Sequence, residues 1–280
     1  MTEIDQVRRF WEENPLWSGE SAHPTGSIDF FAEHRRVYID ECFAGQFDLR
    51  FLPPPRRDGQ RMAVLDLGCG IGFWTAEFAM RGLHGLVAAD LTQRALDLTR
   101  SRLQAQGLSA DLRRENAESL SFADDTFDHV NCQGVIHHTP DTARAIAEIA
   151  RVVKAGGTAS VSVYYRNPIL RAWPYLRWLG IALARLGGGL KGRGRESIFL
   201  QRDPAEIVRL YDGEENPIGK CYSREQFRSM LARHFEIDDM YLHYFPARSL
   251  PFRIPRALHR WLDRRLGFML YASVRKPCAG

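Results

Sequence analysis

Hydrophobic positions along the chain fall into two regimes. Up to residue 51 they are clustered and aromatic, with Phe10, Trp11, Trp17, Phe30, Phe31, Tyr38, Phe43 and Phe47 in pieces broken at Asn14-Pro15 and His23-Pro24. That pattern predicts short helices. Pro53-Pro54-Pro55 and then Asp58-Gly59 close the section as a stiff run followed by a turn. From Met62 short apolar or β-branched runs alternate with amphipathic stretches, the pattern of a parallel sheet covered by helices. It predicts strands over 62–67, 86–89, 110–114, 127–132 and 158–164. Helices are predicted over 73–81, 92–106 and 143–153, the last ended by Lys154-Ala155-Gly156-Gly157. The alternation stops after Tyr165. Residues 166–222 hold a basic helix, Gly187-Gly188-Gly189, a loop over 191–195 and a helix start at Asp203-Pro204, and read as an insertion over the sheet. A helix over 223–233 and strands over 236–244 and 268–274 complete the pattern. The chain divides accordingly into an N-terminal helical and aromatic cap (1–61), an α/β core (62–165), an insertion (166–222) and a closing unit (223–280).

Composition adjusts this picture only slightly. With 45% hydrophobic and 26% charged residues and a mean hydropathy of -0.32, the chain fits a globular fold and argues against wholesale disorder or a membrane-spanning bundle. A net charge of +4 conceals Arg171, Arg177, Arg185, Lys191, Arg193 and Arg195 in succession with no acid between them. That run suits a solvated basic face as well as an anionic surface. Cys42, Cys69, Cys132, Cys221 and Cys278 are scattered, with no C-x-x-C pair, so neither a metal site nor a disulfide framework is expected and reduced cytoplasmic thiols fit best. The first 17 residues carry Glu3, Asp5, Glu12 and Glu13 and lack a secretory pattern. The apolar stretch over 178–186 contains Arg185 and is too short to span a bilayer.

The chemistry is concentrated in Val64-Leu65-Asp66-Leu67-Gly68-Cys69-Gly70-Ile71-Gly72, a strand running into a glycine loop and then a helix. Glycines let backbone approach a ligand closely, which suits a nucleotide-like molecule. Asp90, at the end of the next strand, stands where such folds place an acid on ribose hydroxyls. A dinucleotide is disfavoured on two grounds: the third glycine comes one position too early for G-x-G-x-x-G, and Asp66 would repel a pyrophosphate. A ligand with ammonium and sulfonium charges and no phosphate suits the acid better.

The sequence here resembles the class I S-adenosylmethionine-dependent methyltransferases, and among them the small-molecule, ubiquinone-biosynthesis-like group. The resemblance runs well from Ala63 to about Tyr164 and loosely beyond. It implies a Rossmann-like sheet with helices on both faces and S-adenosylmethionine as cofactor, with S-adenosylhomocysteine as product. Asp66, Gly68, Cys69, Gly70 and Gly72 match the motif holding the cofactor's amino acid part, Asp90 the acid on the ribose and Leu91 the residue packing on adenine. Asn116-Ala117-Glu118 matches the adenine-edge segment, with Asn116 where the family usually has Asp. Gln133-Gly134-Val135-Ile136-His137-His138 resembles the segment leaving strand four beside the methyl group.

His138 and His137 are the candidate bases, since imidazole titrates near neutral pH. Each can equally be a packed or capping histidine. Tyr165 is a further candidate, with Tyr164 and Tyr222 as alternatives at the edges of the insertion. The cap and the insertion should form the acceptor pocket, and their aromatics suggest a closed apolar one for a small molecule; which atom is methylated stays open. Three rivals are weighed. An enzyme on RNA draws on the basic loop, yet strand four is not followed by an N-P-P-Y-like segment and no nucleic-acid partner is expected. A lipid-like acceptor at a membrane surface draws on 169–190 and 254–270, which mix Arg with Trp, Leu and Ile as interfacial helices do. A non-catalytic module that binds the cofactor is the third.

Overall fold

In the computed structural model residues 1–17, 19–54, 61–83, 85–185, 201–250 and 252–278 are described. The expected turn at Pro55 and Asp58-Gly59, the triple glycine and the basic positions Lys191, Arg193 and Arg195 lie outside them. The central sheet takes β1 (Val64–Leu67), β2 (Leu86–Asp90), β3 (Asp111–Arg114), β4 (Phe127–Cys132), β5 (Val153–Tyr165), β6 (Cys221–Tyr222), β7 (Glu236–His243) and β8 (Met269–Arg275). Their order is β3-β2-β1-β4-β5-β8-β7, with β6 paired to β5. The pairs among β1 to β6 are parallel, while β8 runs antiparallel to both β5 and β7. The chain reverses its winding direction between β1 and β4, and the C-terminal ends of those strands are where an open α/β sheet presents a crevice for ligands.

The helices are α1 (Glu3–Glu13), α2 (Ile28–Cys42), α3 (Phe73–Met80), α4 (Gln93–Ala105), α5 (Thr142–Val152), α6 (Pro168–Arg185), α7 (Pro204–Tyr211), α8 (Arg224–Leu231) and α9 (Arg256–Leu266). Their starts follow local chemistry: Thr2 and Asp5 form a capping box on α1, and Asp203 caps α7 with Pro204 in its first turn. Leu65, Leu67, Val161 and Val163 pack with Ile146 and Ile149 of α5 and Phe227 of α8 on one face. Val64, Tyr164 and Tyr271 pack on the other with Phe73 and Trp74 of α3 and with Phe43 and Phe51 from the cap. Phe51 is fully buried, 4.8 Å from the Trp74 ring and 5.0 Å from Tyr271. Such aromatic contacts join the N-terminal section to the sheet.

Lys154-Ala155-Gly156-Gly157 does not end α5 as a glycine cap; Val153 caps that helix, and the four residues already belong to β5. Gly156 donates its N–H to Lys276, and Gly157 accepts from Lys276. Backbone pairing with the chain beyond β8 therefore draws this segment into the sheet.

Candidate active site

The loop after β1 folds as its glycines require. Gly68 has φ +73°, and a Cβ there would fall 2.1 Å from Cγ2 of Val135 in the segment leaving β4. Gly70 has φ +55° with open space where a Cβ would stand, and its N–H donates to Asp90 at 3.0 Å. Asp90 also accepts from the Thr92 N–H at 2.9 Å and the Thr92 hydroxyl at 2.8 Å, so it ties the loop to the end of β2. Beside it is a cavity of about 380 Å³, partly open to solvent and walled by Gly68, Asp90, Leu91, Asn116, Ala117 and Val135. Ile4 and Val7 of α1 cover it. Glu12 holds α1 down, accepting from the Gln93 and Arg94 N–H groups at 3.0 Å each, at the N-terminus of α4.

A second cavity, about 930 Å³ and partly open to solvent, lies between the cap and the antiparallel edge. Its walls are mainly aromatic: Trp11, Trp17, Tyr38, Tyr164, Tyr211 and Tyr244. Glu20, Glu41, Asp212 and Arg248 add polar groups, with Arg248 paired to Glu20 at 3.0 Å. Trp17 and Tyr244 have φ +68° and +69°, a region bulky side chains rarely adopt, and such strain gathers at ligand sites. His138 borders both cavities. Trp11 lies edge-on to its ring at 5.1 Å. Its Nδ1 is 2.7 Å from the Ile218 carbonyl and its Nε2 is 3.5 Å from Asp212.

The other candidates take different places. Asp66 lies beneath the loop and borders neither cavity, accepting from Thr75 at 2.5 Å and from Asn131 at 2.8 Å. Burial pushes its carboxyl up to about 6 against those two bonds, and burial likewise raises Asp90. Cys69 is buried with Sγ 3.5 Å from Thr99, and Gly72 caps α3. Asn116 accepts from the Glu118 N–H at 3.0 Å, and Glu118 turns away to accept from Asp141 at 2.6 Å. Gln133 borders the aromatic chamber with its Oε1 buried and unpartnered. His137 is fully buried, behind the chamber wall and 4.1 Å from the Tyr164 ring; desolvation holds its imidazole well below the usual range. Tyr165 packs with Val161 and Val163 on the opposite face of β5, and Tyr164 is the residue that reaches the chamber. Neighbours along a strand point to opposite faces, so only one of the pair can do so. Ile4, Val7, Glu115 and Asp212 also line the cavities, outside every motif of the sequence. The first two are signalled by helical spacing in α1, whereas nothing near Asp212 marks it.

A family model described as a methyltransferase domain matches residues 65–161. A ubiquinone biosynthesis O-methyltransferase of Thiobacillus denitrificans is 35% identical over 175 residues, covering 58% of this chain and 72% of that protein. Its counterpart in Hahella chejuensis is 40% identical over 106 residues, covering 38% of this chain and 44% of that protein. The chain thus spans only 44% and 60% of the first two curated relatives it matches. Among solved structures, a S-adenosylmethionine-dependent methyltransferase of Methanosarcina mazei shares the fold, with TM-score 0.53, 21% identity, and coverage of 78% of this chain and 94% of that one.

Proposed function

The chain belongs to the class I S-adenosylmethionine-dependent methyltransferases, and from that premise we propose that it methylates a hydroxyl of a small aromatic acceptor and releases S-adenosylhomocysteine. The observation that carries this reading is that His138 borders both the glycine-loop cavity and the aromatic chamber. A group transferred from one ligand to another must pass such a junction. The cofactor's class fits the residues present: Gln133 Oε1 is a buried acceptor without a partner, suited to an ammonium donor, and Gly70 leaves open space beside Asp90. Asp90, Leu91, Asn116 and Ala117 would hold the nucleoside, and Gln133 the methionyl end. When bound, S-adenosylmethionine supplies a methyl carbon already activated by its sulfonium.

The protein's own contribution is to place the acceptor, exclude water and receive a proton. Ile4 and Val7 cover the nucleoside side, the aromatic walls suit a planar acceptor, and His138 Nε2 takes the hydroxyl proton. The relatives named O-methyltransferases support oxygen as the methylated atom. A chamber walled by aromatics favours a compact acceptor over a nucleic acid, and no helix among the described residues is long and apolar enough to cross a membrane. The division into cap, core, insertion and closing unit is part of the same proposal, with cap and insertion forming the acceptor side. Five unpaired cysteines favour a reducing, cytoplasmic setting. The test is release of S-adenosylhomocysteine with 4-methylcatechol as probe. Wild type should turn over, and His138→Ala should be slower by about 100-fold; equal rates would remove His138 from the chemistry.

A further inference from the structure

The polar neighbours of the two His138 ring nitrogens come from outside its own segment. Ile218 offers Nδ1 only a carbonyl oxygen, which has no hydrogen to give, so Nδ1 carries the proton and donates at 2.7 Å. In the neutral ring Nε2 is then a bare lone pair, 3.5 Å from Oδ2 of Asp212. At that separation the two atoms are not hydrogen-bonded, and a lone pair has no proton to offer the carboxylate. Once a proton arrives at Nε2, the ring's positive charge stands 3.5 Å from that carboxylate and the two form an ion pair. The arrangement therefore favours the state after proton transfer over the state before it, which is the direction that lowers a barrier.

Asp212 and Ile218 sit on one short segment folded into a clamp. Asp212 closes α7, is 8% exposed, and accepts the Tyr164 hydroxyl at 2.8 Å. Asn216, 1% exposed, donates to the Arg209 carbonyl at 3.0 Å and accepts from the Ile218 N–H at 3.3 Å. Arg209 returns a bond to the Asn216 carbonyl at 2.5 Å. Lys220 fastens the far end, donating its N–H to the His137 carbonyl at 3.1 Å and its ammonium to the Thr139 and Pro140 carbonyls at 2.9 and 2.6 Å. The clamp thus fixes the ring's tautomer with one end and sets a carboxylate beside its free nitrogen with the other.

We propose that Asp212 is a positioning residue for methyl transfer, acting through His138 by stabilising the proton that Nε2 receives from the acceptor hydroxyl. This rests on the hydroxyl-methylation reading above. In the step the acceptor O–H bond breaks with its proton passing to Nε2, and the acceptor oxygen bonds to the methyl carbon. The methyl carbon–sulfur bond breaks with its electron pair remaining on sulfur. One positive charge leaves the sulfonium and one appears on the imidazolium, beside Asp212.

The experiment uses the full chain with ¹⁵N-labelled histidine and the Asp212→Asn variant, which keeps an acceptor oxygen for Tyr164. With S-adenosylhomocysteine bound, the wild-type His138 resonances should report Nδ1 protonated and Nε2 bare; the opposite tautomer would overturn the proposal. Turnover is then compared for 4-methylcatechol and for 4-nitrocatechol, which is largely ionised beforehand at about pH 8. Asp212→Asn should lower kcat by about 100-fold on the first with KM little changed, and stay within about threefold on the second. An equal loss on both, or none on either, would overturn it. Should S-adenosylhomocysteine bind while wild type methylates neither catechol, the hydroxyl-methylation reading fails and this proposal with it.

Discussion

The two cavities meeting at His138 are built in opposite ways. Gly68, Asp90, Leu91, Asn116 and Ala117 stand at or just past the ends of three neighbouring strands. The chamber draws on α1 through Trp11, on the turn after it through Trp17, on α2 through Tyr38, on β5 through Tyr164, and on the ends of α7 and β7 through Tyr211 and Tyr244. A parallel sheet fixes where its strands end, so one short motif per strand suffices to write the first pocket. The second exists only once distant segments dock, and residues that share it have no common spacing. The lesson is that the cofactor side can be read locally while the acceptor side is a tertiary product.

The substitution with the largest expected effect is at Gly68. In Gly68→Ala the new Cβ meets Val135 at 2.1 Å in a left-handed backbone, which should cost about 4 kcal/mol of stability and disturb both cavities through the β4 exit. Urea unfolding checks the first effect and S-adenosylhomocysteine binding the second.

Asp66 sharpens the cofactor side through pH. Its ordinary value is 3.8 and its folded value about 6, so between them the native state holds more protons than the unfolded chain. The associated stability is present below 3.8 and is lost as pH rises through about 6, with a size of about 3 kcal/mol. Asp66→Asn should remove that decline between about pH 4 and 6, seen as the wild-type minus variant difference in unfolding free energy. A pH-independent difference would mean that Asp66 is not buried as described.

The smallest effect separates the two pockets. Trp17→Gly relieves a strained φ of +68° but removes a chamber wall. It should raise the acceptor KM by about tenfold and leave S-adenosylhomocysteine affinity within about threefold. Equal losses in both would erase the distinction between the pockets.

These contrasts explain what could be read from the chain. Hydrophobic alternation located β1 to β5 and their helices because buried parallel strands are apolar runs between turn signals, and most ends differ by no more than two residues. The start of β5 was missed because Gly156-Gly157 reads locally as a stop, while its pairing to Lys276 is a long-range bond. Two-residue β6 carries no periodic signal. Tyr165 was preferred to Tyr164 because β5 is buried on both faces, so alternation alone does not say which parity meets the chamber. Asp212 was invisible because its partners, Tyr164 and His138, are 48 and 74 positions away in the chain.

The placement of the cofactor beside Asp90 is measured most directly by calorimetric titration with S-adenosylhomocysteine of wild type, Asp90→Ala and His138→Ala. Saturable binding by wild type, weakened about 100-fold in Asp90→Ala and nearly unchanged in His138→Ala, is the result predicted. No binding by the folded wild-type protein, or equal binding by all three, would contradict the placement of the cofactor in the pocket beside Asp90.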